Sequence, residues 1–194
     1  MHGANQKFWK YCSETYPEKF QGDIKVIEYG SYDINGSIRE FFKFPLNEYI
    51  GVDWRPQPGW RVELVSLAHE VSIPYPFDTV ASASLLEHDP YWKLSLQNMV
   101  EHLKEDGILI LSWGAALNAP HCFVEAPDGE FHALKVGSAL KRLNELGIYV
   151  HEVLYEGNHF QGGMGEVCLI GFKDKSLARG PQRIDQLLPE DVDE

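Results

Sequence analysis

Cysteine is scarce in this 194-residue chain. Cys12, Cys122 and Cys168 are the whole supply, odd in number and far apart. No Cys-x-x-Cys occurs, so neither a disulfide framework nor a structural zinc site is expected, and three reduced thiols are the plain reading. His121 beside Cys122 has no companions at ligand spacing, so no metal site is assigned. Long apolar runs are also missing. None approaches the roughly 20 residues that span a bilayer. The start, Met1-His2-Gly3-Ala4-Asn5-Gln6-Lys7, lacks the apolar core of a signal peptide. These absences predict a cytoplasmic protein with no membrane contact. Positive charge is short as well: 17 Lys and Arg stand against 29 Asp and Glu, a formal net charge of −12. That disfavours a general grip on nucleic acid, which needs clustered cations. No internal repeat occurs.

What is present is the making of a core, with 44% hydrophobic residues and 12% aromatics. The length suits one domain, expected over residues 1–175. Residues 1–21 carry Phe8, Trp9, Tyr11, Tyr16 and Phe20, read as a short helix ending near Pro17, either packed on the sheet edge or closing over a ligand as an aromatic lid. The tail, 176–194, is polar and acidic, expected to be flexible or to contact a partner protein.

The chain is organised around residues 24–39. A β-branched run over 24–29 reads as a strand, Gly30 breaks it, and residues 36–43 read as a helix. A strand, a glycine turn and a helix N-terminus make the front of a nucleotide-type site, since glycine permits close approach and free N–H groups attract polar or anionic ligand parts. A second strand, 48–54, carries Asp53 about 25 residues after Glu28, near the spacing at which an acid meets ribose hydroxyls. A carboxylate accepts two hydrogen bonds from a vicinal diol. Residues 61–65 alternate as a third strand and 78–84 form a fourth. The small residues at its end, Ser84 among them, admit a ligand to the strand's carboxyl edge. A helix over 91–104 is stopped by Gly107. The apolar run 108–113 suits a strand buried on both faces, and a long loop covers 114–132. A helix over 134–146 closes at Gly147, and strands 148–155 and 166–172 read as an antiparallel pair. The whole predicts an α/β fold: a Rossmann-like three-layer sandwich with a mostly parallel seven-stranded sheet and an antiparallel C-terminal hairpin.

Four stretches together point to a family. Val26-Ile27-Glu28-Tyr29-Gly30-Ser31-Tyr32-Asp33-Ile34-Asn35-Gly36-Ser37-Ile38-Arg39 resembles the first motif of class I S-adenosylmethionine-dependent methyltransferases, in particular the bacterial small-molecule, methyltransferase type 11-like kind. Tyr49-Ile50-Gly51-Val52-Asp53 resembles the second. Phe77-Asp78-Thr79-Val80-Ala81-Ser82 with Leu85-Leu86-Glu87-His88 is similar to the strand and Leu-Glu-His motif. Leu103-Lys104-Glu105-Asp106-Gly107-Ile108 is similar to the Leu-Lys-x-Gly-Gly motif. The resemblance implies S-adenosylmethionine (SAM) as cofactor and methyl transfer to a small molecule or glycan-like acceptor. It implies that Glu28 meets the methionine amino group, and that backbone N–H groups from Gly30 through Ser31 to Tyr32 meet its carboxylate. It implies Asp53 on the ribose, Trp54 on the adenine, Leu67 and Ala68 lining the adenine pocket, and Ser84 and Leu85 on the sulfonium side. The chain departs from the pattern at Tyr32, where a second glycine is usual, and at Leu67, where an acid often reads the adenine amino group. Backbone or Ser66 would then read adenine.

Methyl transfer from a sulfonium needs mainly proximity and alignment, with a base only where the acceptor must lose a proton. Candidate catalytic residues are His88 and His121, with Tyr91 and His159 also on the acceptor side. Two other readings stay open. One is an NAD-dependent oxidoreductase, although residues 30–36 fail the Gly-x-Gly-x-x-Gly pattern. The other is a catalytically inactive scaffold with the same fold.

Overall fold

A computed structural model describes residues 3–34, 36–57, 59, 61–114, 134–156 and 165–178. Ten regular elements follow in chain order: α1 (Gly3–Thr15), β1 (Gln21–Tyr29), β2 (Lys43–Asp53), β3 (Leu64–Val65), β4 (Phe77–Ala83), α2 (Trp92–Glu101), β5 (Leu103–Gly114), α3 (Val136–Glu145), β6 (Tyr149–Glu156) and β7 (Glu166–Phe172). The seven strands form one sheet in the order β3-β2-β1-β4-β5-β7-β6. Strands β1 to β5 pair in parallel, and β7 runs antiparallel between β5 and β6. The order reverses between β1 and β4. In open α/β sheets such a switch point opens a crevice beyond the strands' carboxyl ends.

Both faces of the sheet are covered, which is why its central strands are nearly continuously apolar. On one face Val26, Ile108, Ile110 and Ile170 pack with Phe8, Trp9 and Cys12 of α1. On the other, Ile27, Tyr29, Leu109 and Leu111 pack with Leu96 and Met99 of α2 and Ala139 and Leu143 of α3. The aromatic N-terminal segment is thus a packed layer of the sandwich. Gly147, at φ +79°, closes α3 as the sequence implies.

Several boundaries differ from the sequence reading. The helix expected over 36–43 is a single 3-10 turn, Ile38–Phe41. Ser37 starts it by accepting the Arg39 N–H at 3.2 Å. Phe42 is already extended, with ψ 139°, and Pro45 keeps the residue before it from the α region. The chain therefore enters β2 at Lys43, five residues ahead of the predicted start at 48. Gly107 does not stop a helix. The helix ends at His102, whose N–H reaches the carbonyls of Asn98 and Val100. Gly107 instead sits inside β5, where a Cβ would lie 2.7 Å from Leu103 Cδ1 and 3.0 Å from the Lys104 carbonyl. The third strand shrinks to Leu64–Val65.

Candidate functional site

A cleft with about 540 Å3 of empty space, open solvent included, lies at the carboxyl ends of β1, β2, β3 and β4. Nine residues singled out in the sequence line it: Gly30, Asp53, Trp54, Ser66, Leu67, Ala68, Leu85, His88 and Tyr91. They come from four separate loops, which the parallel strands deliver to one edge. His69 and Asp89 join them.

Two backbone features mark the ends of β1 and β4, of which Gly30 lines the cleft and Ser84 does not. Gly30 turns at φ +82°, and a Cβ there would lie 2.9 Å from Leu85 Cβ, so only glycine fits both the conformation and the space. Ser84 is the non-glycine residue with positive φ, 54°, among the described residues. It is exposed at the tip of β4 and donates its N–H to the Ser112 carbonyl at 2.9 Å. Backbone in this region is strained for a side chain and gathers at binding sites.

Asp53 is half-buried. It accepts the N–H of Arg55 at 3.1 Å on one oxygen and that of Tyr32 at 3.3 Å on the other. Burial raises its pKa despite these bonds. Each oxygen keeps a lone pair for a ligand. The N–H groups after β1 are engaged inside the protein: Gly30 and Ser31 both donate to the Val52 carbonyl, at 2.8 and 3.0 Å, and Tyr32 to Asp53. The Tyr32 ring lies 4.0 Å from the Arg55 guanidinium, which also sits over Trp54 at 5.0 Å.

Glu28 and Ser31 are outside the cleft lining. Glu28 is buried on the α1 face of the sheet, because its neighbours Ile27 and Tyr29 take the other. It accepts the Tyr49 hydroxyl at 2.6 Å, and burial pushes its carboxyl up to about 7. Ser31 is buried with its hydroxyl unpartnered, beside Gly51. Arg39, 5% exposed, bonds Glu63 through both terminal nitrogens, at 2.8 and 2.7 Å, and lies 4.2 Å over the Tyr49 ring. Glu63 also accepts the Gly51 N–H at 2.6 Å.

The stretch expected on the acceptor side begins at the 3-10 turn Leu86–His88. His121 and His159 lie outside the described residues, as do 115–133 of the long loop and 179–194 of the tail. His69 stacks near Tyr91, ring centroids 4.5 Å apart. Asp89 accepts from the Tyr91 N–H at 2.8 Å and from the Ser95 hydroxyl, tying the start of α2. Among the described residues, no cluster of three or more metal-ligating side chains occurs. Two acids were missed as site candidates. Glu87 and Glu166 are each 2% exposed. Burial pushes each carboxyl up to about 7. Each leaves its Oε2 without a hydrogen-bond partner.

No protein-family model matches the chain, and no curated protein matches it in sequence. Solved structures do match in fold. An S-adenosylmethionine-dependent methyltransferase from Clostridium acetobutylicum superposes with a TM-score of 0.64 at 12% identity, over 86% of this chain and 91% of that one. The N-methyltransferase NodS from Bradyrhizobium japonicum, in complex with S-adenosylhomocysteine, gives 0.58 at 14% identity, over 86% and 85%. The cyclase SpnF gives 0.57 at 15% identity, over 84% and 81%. With its sheet order and its antiparallel β7, the chain has the Rossmann-like fold of the S-adenosylmethionine-dependent methyltransferases.

Proposed function

We propose that the protein is a SAM-dependent methyltransferase acting on a small molecule. One observation carries the reading: Gly30, Asp53, Trp54, Leu67, Ala68 and Leu85, four loops apart in sequence, meet in one cleft at the switch point of the sheet. In this reading Asp53 accepts the ribose hydroxyls, Trp54 packs on the adenine, Leu67 and Ala68 line the adenine pocket, and Leu85 with Ser84 borders the sulfonium side. The residues suit such a ligand. Asp53 keeps free lone pairs, the Gly30 turn leaves no Cβ in the way, and the walls beside them are apolar. SAM, when bound, supplies a methyl group already activated by the positive sulfur. The chain's task is then to align an acceptor and keep water out. His88 borders the same cleft and would serve as an acceptor-side group. The composition supports a cytoplasmic location and a partner contact through the acidic tail.

Isothermal titration with S-adenosylhomocysteine tests the reading, and micromolar binding is the expected result. Asp53→Ala should weaken it by about 1–3 kcal/mol, the range for leaving buried polar partners unpaired. An unchanged affinity would refute the ribose role. A second reading, an inactive scaffold, is favoured by one observation: the N–H groups of Gly30, Ser31 and Tyr32 already have partners within the protein. No binding of S-adenosylhomocysteine would select it.

A further inference from the structure

The loops that follow β1 and β2 are joined to each other at several points. The side-chain amide of Gln57, after β2, spans one residue of the first loop. Its Oε1 accepts the Asp33 N–H at 3.0 Å, and its Nε2 donates to the Asp33 carbonyl at 3.1 Å. An amide carries both a donor and an acceptor, so it satisfies the two backbone groups of one residue as a neighbouring strand would. The Asp33 side chain is held as well. It forms an ion pair with Arg61 at 2.9 Å and accepts the Gly36 N–H at 2.7 Å. Tyr32 supplies a further link. Its ring lies 4.0 Å from the Arg55 guanidinium, which also reaches the Trp54 ring at 5.0 Å. The Arg55 Nε has no hydrogen-bond partner, and the guanidinium rests on these ring faces.

Asp53 stands between the two loops, and its oxygens are divided between them. One accepts from Arg55, in its own loop, at 3.1 Å. The other accepts from Tyr32, across the gap, at 3.3 Å. The bond across the gap is the longer, so a small separation of the loops would break it. The backbone of Asp53 is fixed independently. It pairs with Val65 in the β2–β3 ladder, and its carbonyl accepts the Ser66 N–H at 3.0 Å. Sheet pairing thus sets where Asp53 starts, and the spacing of the loops sets where its carboxylate points. Asp53 lines the cleft, whereas Tyr32, Arg55 and Gln57 lie outside the lining. What these three can govern is the group that does line it.

We propose that Tyr32, Arg55 and Gln57 are positioning residues: they clasp the loop after β1 to the loop after β2 and so aim the Asp53 carboxylate at the ribose hydroxyls of the cofactor. The inference rests on the SAM reading above, because it names what orients that reading's ribose acceptor. It also accounts for the residue at 32. A glycine there would keep the N–H that meets Asp53 but would offer Arg55 no ring. A carboxylate pairs with both hydroxyls of a diol only when its two oxygens face them together. Binding groups do such work when their neighbours hold them within about 0.5 Å of the productive place.

The test reads the ribose contribution by itself. S-adenosylhomocysteine and its 2′,3′-dideoxy analogue are titrated calorimetrically into the full chain. The wild type should bind the parent at least tenfold more tightly than the analogue. Gln57→Ala, Arg55→Met and Tyr32→Ala should each cut that ratio at least threefold, with affinity for the dideoxy analogue within about twofold of wild type. Tyr32→Phe keeps both the ring and the N–H and should keep the ratio. Equal binding of the two ligands by the wild type overturns the inference, as does an unchanged ratio in Gln57→Ala and Tyr32→Ala. So does an equal loss of affinity for both ligands, which a merely structural role would give. A second measurement needs no ligand. Hydrogen exchange of the Tyr32 amide, followed by NMR, should run at least tenfold faster in Gln57→Ala, with the Ser66 amide unchanged. Equal protection of the Tyr32 amide in both proteins overturns the clasp. A wild type that binds neither ligand rejects the SAM reading, while the exchange rates still decide whether the loops are clasped, so the two failures are separable.

Discussion

Replacing Glu87 by glutamine should change how the protein's stability depends on pH. The carboxyl is 2% exposed, one of its oxygens is bare, and burial moves its pKa from 4.5 to about 7. Below the unfolded value both states carry the proton. Between the two values the folded chain keeps a proton that the unfolded chain releases. Stability therefore falls as pH rises through that window, by about 1.4 kcal/mol per unit, and levels off above the folded value. The full shift is worth roughly 3 kcal/mol, of which about 2.5 kcal/mol lies between pH 5 and pH 8. The substituted glutamine keeps an oxygen for the Gly114 N–H and has no proton to lose. The variant should gain on the wild type by about 2.5 kcal/mol over that range, or about 5–10 °C in melting temperature for a chain of this size. Urea unfolding followed by tryptophan fluorescence at each pH measures the difference. Taking variant minus wild type cancels the titrating groups remote from Glu87, such as Glu28 and His102, whose pKa burial lowers; Glu166, whose charge raises the Glu87 pKa, is set aside by making the comparison in a Glu166→Gln background. Parallel pH curves, or a wild type that gains on the variant towards pH 8, would refute the assignment of a bare, buried acid at this position.

Other perturbations separate the cleft from the scaffold. Gly30→Ala meets both φ +82° and Leu85 Cβ at 2.9 Å, so it should destabilise the fold by about 1–3 kcal/mol in a thermal melt and abolish S-adenosylhomocysteine binding in a titration. Arg39→Met removes the bidentate partner of Glu63. Because Glu63 is partly exposed, the loss should be about 2 kcal/mol by chemical denaturation, and binding should persist when the folded protein is assayed in the cold. Gly107→Val forces a branched side chain against Leu103 and the Lys104 carbonyl. It should lower the melting temperature by several degrees, about 1–3 kcal/mol of overpacking, without altering ligand affinity.

The sheet was legible because its strands announce themselves. Ile108-Leu109-Ile110-Leu111 is apolar at every position, as a strand covered on both faces must be, and the structure buries all four. The antiparallel placement of β7 was legible from the short separation in sequence between the strands expected over 148–155 and 166–172, too short for another crossover helix. Local signals misled where tertiary contacts decided. Residues 36–43 have the polar start and apolar body of a helix, yet Pro45 and the Arg39–Glu63–Gly51 bonds draw the chain early into β2. Glu63 is distant in sequence and unremarkable in composition, so nothing local betrays that it anchors the segment. Gly107 had the look of a helix stop because glycine after charged residues often is one. Its reason is instead the close approach of Leu103 and Lys104.

The cleft and the buried acids differ in the same way. The half proposed for the cofactor uses residues at or just after the ends of β1, β2 and β4, and strand ends can be read from sequence, so Gly30, Asp53 and Leu85 could be named before their meeting was seen. Glu28 shows the limit. The motif marks the acid but not the face it takes, and the alternation of β1 sends it under Tyr49. The buried acids Glu87 and Glu166 depend on pairing across the sheet. Glu87 stands in a recognisable Leu-Glu-His stretch, whereas Glu166 opens a late strand with no motif around it. Only the antiparallel register, Gly114 against Glu166, brings the second acid to the first. A register shifted by one residue would turn Glu166 to the α2 face and bring Val167 to the α1 face, leaving Glu87 as a lone buried acid.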